Sequence, residues 1–412
     1  MENKNIQPDT SAGYIIEKGE QVPAEFVVNA EGQVVSVASG GMRRRNGRSG
    51  VDAEGREKRF MLIRRLNSTG CAMLLDILLS NVVALQVVIV LIVVWAISGA
   101  LDAAAMASAA ADGDLGGLTR LVGFAIALTN AIAMPLAHTA AGYMHSVRNG
   151  FSLRPAMQKG KSIGGALPAC IVTALGSVYA WSFVYMICAH FLPDSFFGRT
   201  GFGVNSFEGL STAGIVIAAI YTVILAPLTE EFLFRGVLLR SLSKYGTGFA
   251  VVLSSLLFGL IHGNIYQAPF AFLAGIVLAY AAIRSGSIWR AVLVHFAVNL
   301  FSCLRDLAML MVPAELSEAV DYGFMGFAGL MVLGSVVILC TCAKRISWKP
   351  VEENCTMLLP RAETAARLRW PYVLLSAALL AAMAIYVLAI LASCGVTFGL
   401  ENLQEILEQM AG

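Results

Sequence analysis

Pro227-Leu-Thr-Glu-Glu-Phe-Leu-Phe-Arg235 places two adjacent carboxylates and a guanidinium inside an apolar stretch. Apolar or small residues fill most of Gly209 to Leu228 before it, and Gly236-Val-Leu-Leu follows. Ionisable groups in a membrane span are costly and face a protein interior or a wet cavity. On a helix, Glu231 and Arg235 lie one turn apart and can pair. Glu230 points about 100° away and is not consumed by that pair. Two later apolar segments each carry a histidine: Phe258-Gly-Leu-Ile-His262 and His295-Phe-Ala-Val-Asn299. In the second, His295 and Asn299 again share one helical face. The rest of the chain reads as the scaffold that gathers these three helices.

Composition fixes the class. The chain has 412 residues, 57% hydrophobic and 14% charged, with a mean hydropathy of +0.72. A soluble domain carries nearer a quarter of charged residues. The expected fold is all-α, a polytopic transmembrane helical bundle of about 8–10 spans with a polar N-terminal extension. A net charge of +2 argues against nucleic acid as a partner. The eight cysteines mostly sit in apolar segments without CxxC spacing, so they read as small buried hydrophobes rather than a disulfide framework. The first apolar run starts too late for a cleavable signal peptide.

The spans read as 72–98, 119–143, 165–192, 209–243, 248–265, 268–284, 288–304, 323–343 and 370–395. The fourth is too long for one simple span, and is either kinked near Pro227 or divided in two. Four regions follow: a basic extension (1–65), N-terminal helices (66–200), a core holding the motifs (201–310) and C-terminal helices (311–412). Within the extension, Glu25 to Val37 reads either as two short strands around a turn or as a tail without structure. Loops 39–65, 144–162, 235–247, 284–290 and 344–369 are basic. Those holding Asp102, Asp112 and Asp114, then Asp194 and Glu208, then Asp306, Glu315, Glu318 and Asp321, and finally Glu401, Glu405 and Glu408, are acidic. Basic loops mark the cytoplasmic side, which puts the N-terminus inside and the C-terminus outside a cell membrane. The basic juxtamembrane run also contacts anionic membrane lipids.

The same topology gives depths. Glu230 and His262 lie roughly 20 Å from the cytoplasmic helix ends, and His295 roughly 15 Å. Of the other histidines, His138, His145 and His190 sit near span ends and read as interfacial or solvated. Peptide hydrolysis needs an activated water, an acid for the leaving amine and donors for the oxyanion. Glu230 can hold and deprotonate a water that His262 shares. His295 and the Asn299 amide can donate to the oxyanion. Arg235 keeps Glu231 ionised and fixes the helix pose.

Glu-Glu-x-x-x-Arg, Phe-x-x-x-His and His-x-x-x-Asn, in that order on separate membrane helices, resemble the CAAX protease and bacteriocin-processing family. The residues that carry the resemblance are Glu230, Glu231, Arg235, Phe258, His262, His295 and Asn299, within roughly 209–304. The resemblance implies an intramembrane endopeptidase acting on a peptide or lipidated-protein substrate, with the site open toward the cytoplasm. Glu230 then stands at the water-activating base, and His295 and Asn299 at the oxyanion donors. Glu230, His262 and His295 are also a plausible zinc set of the His₂Glu type. The helical zinc signature His-Glu-x-x-His is absent, so no cofactor is expected and zinc is the alternative. A proton-coupled transporter, for which no internal repeat is visible, and a non-catalytic scaffold are the competing classes.

Overall fold

The structure is a computed structural model. It describes residues 14–17, 20–23, 26–28, 34–36, 47–99, 116–191, 206–352, 357–360 and 369–393. The acidic positions 102, 112, 114, 194, 401, 405 and 408, residues 39–46 of the basic run 39–65, Cys355 and Cys394 fall outside them.

The chain divides into two compact units, Met1–Lys58 and Arg59–Gly412. The first holds two antiparallel hairpins, β1 (Tyr14–Glu17) with β2 (Glu20–Pro23) and β3 (Phe26–Val28) with β4 (Val34–Ser36). The second hairpin, pairing Phe26 with Ser36 and Val28 with Val34, is the hairpin reading of the extension. The first was not anticipated, although β1 and β2 are separated by only Lys18-Gly19, a hairpin-length spacing that ends in glycine.

Nine apolar helices are described: α1 (Gly47–Ser98), α2 (Gly116–Arg148), α3 (Ala166–Phe191), α4 (Thr212–Ser243), α5 (Thr247–Leu260), α6 (Gln267–Ser285), α7 (Ile288–Met311), α8 (Ala314–Cys342) and α9 (Ala377–Ser393). Seven are long and apolar enough to cross a membrane; α5 and α9 are shorter. Each corresponds to one span read from the sequence. Leu85, Val93 and Ile97 on α1, and Leu330, Leu333 and Val337 on α8, are exposed. Such apolar faces suit a lipid environment, in which helices already satisfy their own backbone groups. The densest core is Leu233, Phe234, Val237, Leu238 and Leu239 on α4 against Leu253 and Leu257 on α5 and Leu278, Ala281 and Ala282 on α6.

α4 is one continuous helix, neither divided nor purely α. Wider π turns occupy Tyr221–Leu225 and Phe232–Leu239, on both sides of the α-helical Ala226–Glu231. Pro227 has no N–H to give to the preceding turn. The π turn ahead of it absorbs that mismatch, and such bulges recur at functional sites. Ser211 starts the helix, its hydroxyl accepting from the Gly214 N–H at 3.1 Å.

Short links hold α4 to α7 together: Gly246, with φ +127°, precedes α5, and Gly286, with φ +72°, closes α6 before the Ser287 cap of α7. The basic connections gather at this end of the bundle. Lys161 N–H donates to Ser285 O at 2.9 Å, Ser287 Oγ to Gln158 O at 2.6 Å and Val351 N–H to Arg284 O at 2.9 Å. At another end, Ser206 N–H donates to Asp306 Oδ2 at 3.2 Å and Arg305 pairs with Asp321 at 2.8 Å.

Two charges assigned to basic loop 235–247 are not loop charges. Arg235 and Arg240 are buried inside α4, and Arg240 Nη1 donates to Met357 O at 2.9 Å. Met357 and Leu359, in the segment after α8, cover the last turn of α4, with the Leu359 N–H donating to Ser243 Oγ at 3.0 Å.

Candidate active site

The Glu231–Arg235 pair forms as its spacing predicts. Arg235 Nη1 donates to Glu231 Oε1 at 2.7 Å, and both side chains are 0% exposed. Two further contacts seat the guanidinium. Nη2 donates to Gly275 O on α6 at 3.1 Å, and the cation lies 4.3 Å from the centroid of the Phe258 ring. A desolvated cation–π contact contributes about 2 kcal/mol. Gly275 is required at this approach, since a Cβ there would press on Ser255 and Phe258 at 3.0–3.2 Å. Phe258 is the hub of the cluster, edge-on to Phe234, His262 and His295 at centroid distances of 5.1, 5.2 and 5.7 Å.

Glu231 also fixes the first residue of the third motif. His295 Nδ1 lies 3.0 Å from Glu231 Oε1, which leaves Nε2 directed toward Glu230 Oε2 at 3.9 Å. That separation is too long for a hydrogen bond and short enough for a strong field between the groups. Glu230 Oε2 is buried and has no hydrogen-bond partner among the described residues. An unsatisfied buried carboxylate oxygen facing a cavity is an acceptor waiting for a polar guest.

His262 belongs to the turn after α5, not to the helix expected over 248–265. The helix stops at Leu260, and Gly263 adopts φ +64°, the left-handed conformation that ends it. His262 Nδ1 donates to Phe258 O at 2.8 Å, so its Nε2 is the nitrogen free for the cavity. Asn264 serves the same turn. Its Nδ2 donates to His262 O at 2.9 Å and its Oδ1 accepts from the Gln267 N–H at 2.8 Å, starting α6. Asn299 Nδ2 donates to Thr222 O, in the first π turn of α4, at 2.7 Å. One amide hydrogen of Asn299 is used there and the second remains.

Glu230, His262, His295 and Asn299 all line one cavity of about 480 Å³, together with Tyr221, Gln267 and Ser302. Glu231 and Arg235 lie behind its wall. The site residues read from the sequence therefore divide into four that face the cavity and two that brace it. Among the described residues no three His, Cys, Asp or Glu side chains converge closely enough to hold a metal ion.

Two of the other three histidines differ from expectation. His138 and His145 are buried, while His190 is exposed. For His145 the reason is the length of α2, which runs to Arg148, beyond the expected end at 143. His145 Nδ1 donates to Ser68 O at 3.1 Å, and its Nε2 then accepts from Ser241 Oγ at 2.9 Å, tying α1 and α2 to α4. His138 also lines the cavity, and its Nδ1 sits 2.7 Å from Asp76 Oδ1 on α1. The sequence reading passed over Asp76. The available signal was a carboxylate inside the most apolar span with a histidine in the next one.

These features define a multi-pass membrane protein whose helices enclose a cavity lined by glutamate, histidine and asparagine. Residues 212–301 match the family described as type II CAAX prenyl endopeptidase, Rce1-like. The resemblance drawn from the three motifs is borne out over that segment, which holds every motif residue. An uncharacterized 24.3 kDa protein of Escherichia coli is 32% identical over 109 residues, covering 25% of this chain and 50% of that protein. A Bacillus subtilis (strain 168) protein named "Putative membrane peptidase YdiL" is 27% identical over 94 residues, 23% of this chain and 38% of that protein. The chain thus spans half or less of the length of these curated relatives. No solved structure matches the chain.

Proposed function

We propose that the protein is an intramembrane endopeptidase that hydrolyses membrane-associated peptides or lipidated protein tails with a glutamate-activated water. One observation carries the reading: Glu230, with an unpartnered carboxylate oxygen 3.9 Å from His295 Nε2, shares a cavity with His262 and Asn299. A water bound between Glu230 and His262 Nε2 gives a proton to Glu230 as its oxygen attacks the scissile carbonyl. His295, protonated on both nitrogens, donates to Glu231 and to the oxyanion, and the remaining Asn299 N–H donates beside it. Glu231 and Arg235 take no part in bond making and hold His295 and Glu230 in place.

The substrate is either a prenylated C-terminal tail or an unprenylated peptide of the bacteriocin type. The chemistry is metal-free in this reading. Among the described residues no three His, Cys, Asp or Glu side chains converge closely enough for one zinc, which supports it. The orientation with basic loops in the cytoplasm is supported by the contacts that gather those loops at one end of the bundle.

The test is cleavage, followed by mass spectrometry, of a prenylated and an unprenylated peptide by purified protein in lipid. Wild type should cleave at least one, Glu230→Gln neither, and exhaustive chelation should leave the wild-type rate unchanged. Stoichiometric zinc, lost together with activity and restoring it on return, would establish the metal-dependent reaction instead.

A further inference from the structure

Hydrolysis of an amide needs three services: a base for the water, donors for the oxyanion and an acid for the leaving nitrogen. In the proposed reaction Glu230 and His262 supply the first, and His295 and Asn299 the second. Glu230, once it has taken the water's proton, is the one motif residue that can supply the third.

A further acid–base group stands in the same cavity. His138 is contributed by α2, which lies outside the family-matched segment. Asn130, Met134 and His138 recur at intervals of four, so one face of α2 forms a wall of the cavity that also holds Glu230. α2 packs closely on α4: a Cβ on Gly142, one turn beyond His138, would lie 2.7 Å from the Phe232 ring. His138 is oriented from behind. Its Nδ1 meets Asp76 Oδ1 at 2.7 Å with both side chains at most 4% exposed, so Nε2 is the nitrogen available to the cavity. Asp76 sits in the interior of an otherwise apolar span, where an ionisable side chain is expensive and ordinarily has a function. A carboxylate holding one imidazole nitrogen fixes the ring and stabilises its protonated form. The titratable groups that face this cavity beside His138 are Tyr221, Glu230, His262 and His295.

We propose that His138 is the proton donor to the leaving amine and that Asp76 is its positioning residue. The inference rests on the endopeptidase reading. Water adds to the scissile carbonyl and one of its protons passes to Glu230. The carbon–nitrogen bond then breaks as His138 Nε2–H gives its proton to the departing nitrogen, leaving a neutral imidazole. The proton on Glu230 returns to His138 through cavity water, so one water is consumed and one acid and one amine are formed.

The experiment compares two peptides of one sequence, one with the normal amide and one with a thioester at the cleaved position. A thiolate leaves without being protonated, since thiol pKa values lie near about 8.5. His138→Gln is expected to slow amide cleavage by about 10²-fold while cleaving the thioester within a few-fold of wild type. Glu230→Gln should fail on both. Asp76→Asn keeps an acceptor for Nδ1–H and should show the His138→Gln pattern more weakly; it replaces that variant if His138→Gln does not fold. Equal losses on amide and thioester, in protein with wild-type thermal unfolding, would make the pair a structural tie and overturn the proposal. Wild-type rates on both peptides would overturn it as well. Normal cleavage of both by Glu230→Gln would instead overturn the endopeptidase mechanism on which it rests.

Discussion

Two buried charged constellations border the same cavity, and they are built in opposite ways. The motif cluster on α4, α5 and α7 starts from a local pair, Glu231 and Arg235, four residues apart on one helix. The Asp76–His138 pair joins α1 and α2 across 62 residues of sequence. The first is wrapped by Phe258, Gly275 and His295, so the guanidinium has a carboxylate, a carbonyl and a ring around it. The second has one contact behind it and the cavity in front. A buried pair is strongly destabilised when one partner is removed, because the other is left as an uncompensated charge. The comparison separates polar groups that hold the bundle together from those free to work in the cavity. Adjacent residues fall on opposite sides of that division: Glu231 is sealed in the brace with Arg235 and His295, and Glu230 lines the cavity.

The largest expected effect strikes the working side. Glu230→Gln keeps the shape of the side chain and removes the base, so the cleavage rate should fall by about 10²–10⁴-fold. Thermal unfolding in detergent should stay close to wild type, and a variant that unfolds many degrees lower would move Glu230 into the brace. On the bracing side the order reverses. Arg235→Ala should cost about 3–5 kcal/mol of stability, with activity falling as a consequence. Unaltered melting of that variant would show that the cluster does not support the fold.

A smaller effect sharpens the contrast between the two histidines of α2. His145 is a tie, accepting from Ser241 and donating to Ser68, whereas His138 faces the cavity. Ser241→Ala should lower stability by about 1–3 kcal/mol, the cost of an unsatisfied buried nitrogen, while kcat of the folded protein stays near wild type. A large loss of kcat without loss of stability would place His145 among the working groups. The smallest perturbation comes from single cysteines at Lys159 and Glu318, both exposed, on a background freed of native cysteines. They should leave activity intact and label from opposite faces of the membrane; labelling from one face would break the assignment of basic and acidic ends.

Much of the motif cluster was legible because its spacing is local. Glu231 with Arg235 and His295 with Asn299 are each one helical turn apart, and that relation survives any arrangement of the helices. Asp76 and His138 carry no such spacing. Their meeting depends on how α1 and α2 are rotated about their axes, which side-chain packing sets. His145 misled for a related reason: composition ends the second span at 143, but α2 continues to Arg148 because α1 and α4 supply partners beyond that point.

The amino-acid sequence by itself determined the class of protein, the positions of the nine apolar helices among the described residues and which side chains carry the three motifs. It could do so because hydropathy and helical periodicity are properties of the chain before it packs. The tertiary structure decided how far α2 runs past residue 143, the seating of Arg235 against Phe258 and Gly275, the tie of His145 to Ser68 and Ser241 and the pairing of Asp76 with His138. Those features arise from contacts between helices distant in sequence, where the cost of burying a polar group is met by whichever partner the packing brings within reach.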